Sequence, residues 1–282
     1  MRRRYYRNRH EHKIVMDSKD PMGDRMKLLE QHVAGQKLLS GLPVVVRLDG
    51  RCFSSLTKDC TRPFDASFHA AMVSTTYDLV EEFSAIWGYT QSDEITLLWN
   101  PKIEAPFGGK THKINSCVAA FASVMFSQYF WNHDIDFWNH DIVPTFDCRV
   151  WVVPSLEEAV NCVLWREFDA VKNSVSMAAR AVASHKELLG LSSKEMQELL
   201  FQRGINWNDY PTEFKRGSHI RRTRKLRALT EEELDRIPES HRPIGPVERF
   251  IIEKIELPPL QKILNRTKVI FEGSGPIFVS GA

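Results

Sequence analysis

No apolar run in this 282-residue sequence approaches the roughly 20 residues a helix needs to cross a bilayer, so a membrane span is not expected. The basic start lacks a following apolar stretch, which argues against a secretory leader. Cysteine is sparse. The five residues, Cys52, Cys60, Cys117, Cys148 and Cys162, lack the close pairing of zinc knuckles or of a small disulfide framework, and a reduced, cytoplasmic setting follows. No H-x-x-x-H pair falls on an expected helix, and no Ser-His or Cys-His constellation can be argued from spacing, so acid or thiol catalysis has no support. A large excess of one charge is also missing. With 38 Lys and Arg against 36 Asp and Glu, the net charge of +2 excludes a uniformly basic coat.

What charge there is clusters. One basic segment is Met1 to Lys13, with Arg2-Arg3-Arg4-Tyr5-Tyr6-Arg7-Asn8-Arg9, which reads equally as a solvated tail and as an RNA contact. The other surrounds the glycine turn at Gly217 and has few acids among its cations. Lys215, Arg216, Arg221, Arg222 and Arg224 are expected to contact an RNA backbone there.

Two acidic strand ends carry the chemistry. Asp49 closes the β-branched run Val44-Val45-Val46, and Gly50 behind it lets the backbone turn closely past an ion, freeing its carbonyl as a ligand. Asp93-Glu94 precedes a second strand, Ile95 to Trp99, whose pairing with the first would bring the carboxylates together. Hard oxygen donors with open coordination positions suit Mg²⁺ and nucleotide phosphates, the requirement of two-metal phosphoryl or nucleotidyl transfer.

The pattern predicts a helix over 24–40, a strand at 43–48, and a helix capped by Asp65 running to about Trp87. The acidic strand pair, a helix from Lys110 to about Phe130 and a strand from Phe146 to Val153 complete β-α-β-β-α-β. This is an α+β ferredoxin-like or polymerase-palm core. Ser155 caps a long helical stretch and Ser192 another, ending at Gly204. A final hairpin is expected from Arg249 to Leu257 and Lys268 to Val279. The domains are then a basic tail (1–23), a palm (24–154), and a helical and β-rich extension (155–282) packed on the palm and contacting RNA. The near-repeat Trp131 to Ile135 and Trp138 to Ile142, each containing Asn-His-Asp, is taken as structural.

In order along the chain, Arg47-Leu48-Asp49-Gly50-Arg51-Cys52-Phe53, Arg62-Pro63-Phe64-Asp65, Gly88 to Glu94, Phe146-Asp147 with Arg149-Val150, Trp165-Arg166, and Asn206-Trp207-Asn208 with Lys215-Arg216-Gly217 resemble the tRNA-His guanylyltransferase family and its wider group of 3′-to-5′ RNA polymerases. The resemblance implies a Mg-dependent nucleotidyltransferase that activates a 5′-monophosphorylated RNA with ATP or GTP and then extends its 5′ end. It implies that Asp49, the Gly50 carbonyl and Asp93 hold two Mg²⁺ ions, with Glu94 beside them as a further catalytic carboxylate. Nucleotide-binding roles fall on Arg47, Gly50, Arg51, Cys52, Phe53, Arg62, Asp65 and Ser92, and on Lys110 and Lys113, placed as triphosphate holders near the ions at a helix start. Partners would be tRNA or tRNA-like RNA and nucleoside triphosphates, within a homotetramer.

The family's His-Ile-Asn-Asn-Leu-Tyr-Asn signature reads Val171-Lys172-Asn173-Ser174-Val175-Ser176-Met177 here, and a Lys-Asn-Glu run reads Met196-Gln197-Glu198. Template-directed tRNA 5′-end repair is therefore expected rather than strict addition of one guanylate to tRNA-His. Two other readings use the same residues: a palm-type nucleotide cyclase, which lacks its Gly-Gly-Asp/Glu-Glu-Phe hairpin here, and a non-catalytic RNA-binding palm, in which buried uncompensated carboxylates would be costly.

Overall fold

The structure, a computed structural model, describes residues 20–131 and 142–278. The basic tail lies almost wholly outside the described residues, as does the Trp-Asn-His-Asp-Ile near-repeat apart from Trp131 and Ile142. The chain divides into a short unit, 1–37, and a large one, 38–282. In the first, helix α1 (Pro21–Ala34) begins where Asp20 accepts the Gly23 amide at 2.9 Å, with Pro21 in the first turn, where its missing N–H costs nothing. It stops at Gly35, so the expected helical end at residue 40 is corrected.

The large unit runs β1 (Val44–Arg51), α2 (Phe53–Leu56), α3 (Ala66–Glu82), β2 (Trp87–Gln91), β3 (Glu94–Trp99), α4 (Thr111–Phe130), β4 (Thr145–Val152), α5 (Leu156–Val182), α6 (His185–Leu188), α7 (Ser193–Gln202), α8 (Thr212–Arg216), β5 (Ser218–Arg227), α9 (Glu231–Asp235), β6 (Val247–Ile255) and α10 (Arg266–Glu272). Its strands form one six-stranded sheet in the order β4-β1-β3-β2-β5-β6, and every neighbouring pair is antiparallel. A mixed helix and sheet fold is thus as expected.

Alternation along β1 assigns its two faces. Val44, Val46 and Leu48 pack with Met72, Leu79, Ile114 and Phe126 of α3 and α4, while Val45 meets Trp87 and the Ala159, Val160 and Val163 face of α5. By the same period of two, Arg47 and Asp49 fall on the α5 side. The helices on either face begin where the sequence says they should. Asp65 accepts the Phe68 amide at 2.8 Å to start α3, and Ser155 and Ser192 do the same for α5 and α7.

Two expectations need correction, and a basic segment given no element from sequence proves to be a strand. Helix α3 ends at Glu82 rather than Trp87, because Trp87 is already paired with Leu98 inside the sheet. The basic run 218–227 is a strand, β5, joined to β2 on one side and β6 on the other. The final hairpin does not form. Its first arm, β6, pairs with β5, and its second begins inside helix α10, whose Val269 and Ile270 are buried beside Leu260 and Ile263.

The segment leading to α10 is pinned by Glu167 of α5, whose buried carboxylate accepts the Leu260 amide at 2.9 Å. Burial outweighs that hydrogen bond and the charge of Arg216, and pushes the Glu167 carboxyl up to about 7. A raised acid favours the folded state while protonated. Its contribution is complete below the ordinary value of 4.5 and is lost as pH rises through about 7. Wild-type stability is therefore expected to fall between pH 5 and 8 in urea titrations, and Glu167→Gln is expected to flatten that fall.

Candidate active site

The cross-strand register gathers the acids. Asp49 stands directly opposite Glu94 of β3 on one side and opposite Asp147 of β4 on the other, so the three share one row on the α5 face. Asp93 sits in the tight turn Ser92-Asp93 between β2 and β3, with Ser92 in the left-handed region at φ 48°. The Gly50 amide donates to the Asp93 carbonyl at 3.0 Å, tying this turn to the end of β1. The carbonyl of Glu94 is held in turn by the Thr90 hydroxyl at 2.9 Å.

Electrostatics single out the pair. Burial pushes the Asp93 carboxyl up, its own amide pulls it back, and the Asp49 charge raises it again. Two carboxylates that repel each other in a partly dehydrated place are a natural receptor for a cation. Glu94 behaves differently. Burial raises it too, but Arg166 of α5 opposes this by donating Nε–H to the carboxylate at 2.5 Å, while its Nη1 reaches Asp169 at 2.8 Å. The Arg166 guanidinium lies 4.4 Å from the ring centroid of Trp165, over which Arg47 also stands at 5.5 Å. Glu94 is thus in a buried ion pair within the acidic row. Sequence spacing gave no sign of it, because its partner is 72 residues away.

The loop after Asp49 is fixed by Phe53, buried among Phe68, Phe126 and Phe146 with ring centroids 5.0 to 6.0 Å away. Its ring lies against the Gly50 backbone, where an added Cβ would come within 2.5 Å of it. That close approach, rather than any turn requirement, demands glycine. Gly50→Ala is expected to push Phe53 from its pocket at a cost of about 1–3 kcal/mol and to disorder the Arg51-Cys52 turn. Thermal unfolding and steady-state kinetics of the variant check both.

Other expected site residues are distributed unevenly. Arg47 lies one pleat behind Asp49 and has a buried Nε without a hydrogen-bond partner. Arg51, Cys52 and Ser92 are exposed at the mouth of the row. Arg62 closes the following loop by reaching the Lys58 carbonyl at 3.4 Å, and both Asp65 oxygens are occupied, by the Phe68 and Thr61 amides. The structure does not bring Lys110 and Lys113 to the carboxylates. Strand β3 leads away from Glu94 to Trp99, roughly 17 Å at about 3.4 Å per residue, before α4 begins, and Gly109 is held by the Leu38 amide ahead of β1. Among the basic residues, Lys215 is turned inward. It is buried, donates to the Asn208 carbonyl at 2.5 Å and stands 5.4 Å from the Trp207 ring centroid. Arg216 lies beside the same ring, and Arg221, Arg222 and Arg224 project from β5.

No group of three or more His, Cys, Asp and Glu side chains suited to a metal occurs among the described residues. That is compatible with Mg²⁺, which is commonly held by one or two carboxylates and completed by water and substrate phosphates. No helix among the described residues is long and apolar enough to cross a membrane.

A family model for tRNAHis guanylyltransferase matches residues 23–154, the stretch containing Asp49, Asp93 and Glu94. A bacterial tRNA(HIS) guanylyltransferase (Thg1)-like protein in complex with ATP is 32% identical, with a TM-score of 0.71 over 88% of this chain and 98% of its own. The chain belongs to the tRNAHis guanylyltransferase family. It is accordingly a nucleotidyltransferase. A bacterial member of the family in complex with GTP is 31% identical, with a TM-score of 0.65, and is matched over 85% of this chain and 94% of its own. The tRNA(His) guanylyltransferase of Debaryomyces hansenii is 27% identical over 255 residues, 82% of this chain and 94% of its own. Those two bacterial structures hold ATP and GTP, the nucleoside triphosphates on which such a nucleotidyltransferase draws.

Proposed function

We propose that this chain extends the 5′ end of tRNA or tRNA-like RNA in the 3′-to-5′ direction, after 5′ activation with ATP or GTP, at a Mg²⁺ site made by Asp49, Asp93 and the Gly50 carbonyl. The observation that carries the reading is the tie between the Gly50 amide and the Asp93 carbonyl at 3.0 Å, which joins two acidic strand ends that lie far apart in the chain. A polymerase-palm core over 24–154 is the architecture the antiparallel order β4-β1-β3-β2 supports, with 155–282 as an extension that adds β5 and β6.

The residues divide the work. Asp49 and Asp93 would hold the ions with hard oxygen donors, and repulsion between them favours a cation. Bound there, Mg²⁺ supplies charge that makes a 3′-hydroxyl a better nucleophile and offsets charge on the attacked phosphate. Arg47, whose buried Nε has no hydrogen-bond partner, would donate its N–H groups to phosphate oxygens one pleat away. Exposed Arg51 and Ser92 flank the entry. Arg166 neutralises Glu94 and Arg149 pairs with Asp147 at 2.9 Å, which leaves Asp49 and Asp93 as the carboxylates available to a cation. Lys110 and Lys113 would serve a phosphate only outside this row.

Repair of truncated tRNA is favoured over strict guanylate addition to tRNA-His by what occupies the signature segment. Ser174 and Val175 are buried in α5, where the Ser174 hydroxyl accepts the Trp207 indole N–H at 3.3 Å. This part of the segment supports packing rather than RNA reading. The five cysteines, all free, suit a reduced cytoplasmic setting, and exposed Leu189 and Phe201 provide apolar surface for a homotetramer. The test compares a tRNA lacking its 5′ nucleotide with an intact tRNA-His transcript, each with Mg²⁺, ATP and the four nucleotides. Faster extension of the truncated RNA, matched to its template base, is expected. Faster extension of intact tRNA-His would reverse the preference.

A further inference from the structure

In the Trp165-Arg166 pair of α5 only the arginine has an evident task. It ties the helix to the sheet through Glu94 at 2.5 Å and also holds Asp169 at 2.8 Å. Trp165 stays 48% exposed beside an arginine whose side chain is only 10% exposed, so filling the core does not account for the indole.

The ring meets a second cation. The Arg47 guanidinium stands 5.5 Å from the Trp165 ring centroid and that of Arg166 4.4 Å, both within the reach of a cation–π contact. The two arginines are otherwise held differently. Arg166 has two carboxylates, whereas Arg47 has a buried Nε without a hydrogen-bond partner. Its cross-strand neighbours offer no acid: Thr96 has a buried hydroxyl that is itself unpartnered, and Arg149 pairs with Asp147 at 2.9 Å. Glu94 feels the Arg47 charge but takes its hydrogen bond from Arg166. An aromatic ring orients a guanidinium without neutralising it, while a carboxylate would occupy the N–H fork that a phosphate needs.

We infer that Trp165 is a positioning residue of the active site, whose ring holds Arg47 ready for the polyphosphate of a nucleotide bound at the acidic row. The inference deepens the nucleotidyl-transfer reading and rests on it. Trp165 acts through Arg47 and not by contact with the nucleotide. Ordering the arginine beforehand lowers the side-chain freedom lost when the polyphosphate arrives.

The experiment reads binding without RNA. Calorimetry with Mg²⁺ follows two probes, the α,β-methylene analogue of ATP and inorganic tripolyphosphate, on the full chain. Trp165→Leu, which keeps apolar bulk but no ring, is expected to weaken Kd for both probes by about two- to fivefold, and Trp165→Phe is expected to recover most of that loss. In an Arg47→Met background, Trp165→Leu is expected to add nothing further, because its route to the phosphates is gone. In extension assays the loss should fall on KM for ATP and leave kcat near the wild-type value.

A loss confined to the ATP analogue would make the indole a stacking surface for the base and overturn the inference, as would a loss that persists in full without Arg47. Arg47→Met binding both probes like the wild type would remove the phosphate role of Arg47 and the inference with it. A chain that shows the coupling between Trp165 and Arg47 but extends no RNA contradicts the reaction and keeps the positioning role. A chain that extends RNA without the coupling does the reverse.

Discussion

Asp93→Ala is expected to lower 5′ extension by roughly 10³-fold while leaving the fold at least as stable as before. Activity falls because one of the two hard donors that would hold the ions is gone. Stability does not fall with it, and the sign follows from Asp93's own environment. Burial, and then the Asp49 charge, raise the Asp93 carboxyl above its ordinary value of 3.8. Its favourable contribution is therefore present below about that pH and is lost as pH rises through the raised value, leaving a net penalty at neutrality. Removing the carboxylate removes the penalty. Thermal melts at pH 7 without Mg²⁺ should place Asp93→Asn level with the wild type or slightly above it, and added Mg²⁺ should stabilise only the wild type. A variant that loses activity and unfolds together would instead make Asp93 a structural residue.

Arg166→Met is expected to cost about 3–5 kcal/mol of stability, far more than loss of a surface ion pair. The difference lies in burial. The side chains of Arg166 and Glu94 are only 10% and 7% exposed, so truncating the arginine leaves a carboxylate stranded beside Asp49 with little water to solvate it. Adding Glu94→Gln to Arg166→Met should restore much of the loss, because the amide removes the stranded charge. Urea denaturation of the two single variants and the double closes the cycle. If both singles and the double are equally destabilised, the pair acts through packing rather than charge.

The parts of the site legible in the sequence are those set by local chemistry. Asp49 before Gly50 and Asp93 before a β-branched strand announce acidic strand ends, and Asp65, Ser155 and Ser192 announce helix starts, because a cap is satisfied within three residues of itself. What stayed hidden depends on distant partners. The basic run after Gly217 carries no sign that Glu253 and Phe250 stand across from it, so it read as an open patch instead of the inner strand of a ribbon. Lys215, expected to contact an RNA backbone, is instead turned inward to the Asn208 carbonyl and the Trp207 ring, partners on a turn that packs with α5 and α7. Lys110 and Lys113 were placed beside the ions by the resemblance, yet strand direction puts the start of α4 at the other end of β3. Spacing along a chain reports neighbours on one element and is blind to which end of a sheet the next one starts from.

The most direct test of the central claim is transfer of label from α-labelled GTP to a tRNA lacking its first nucleotide, with Mg²⁺ and ATP, for the wild type beside Asp49→Ala. The account predicts a product one nucleotide longer at its 5′ end with the wild type and none with Asp49→Ala, although the variant still binds the RNA. Label at the 3′ end, a cyclic nucleotide made without RNA, or undiminished extension by Asp49→Ala would contradict it.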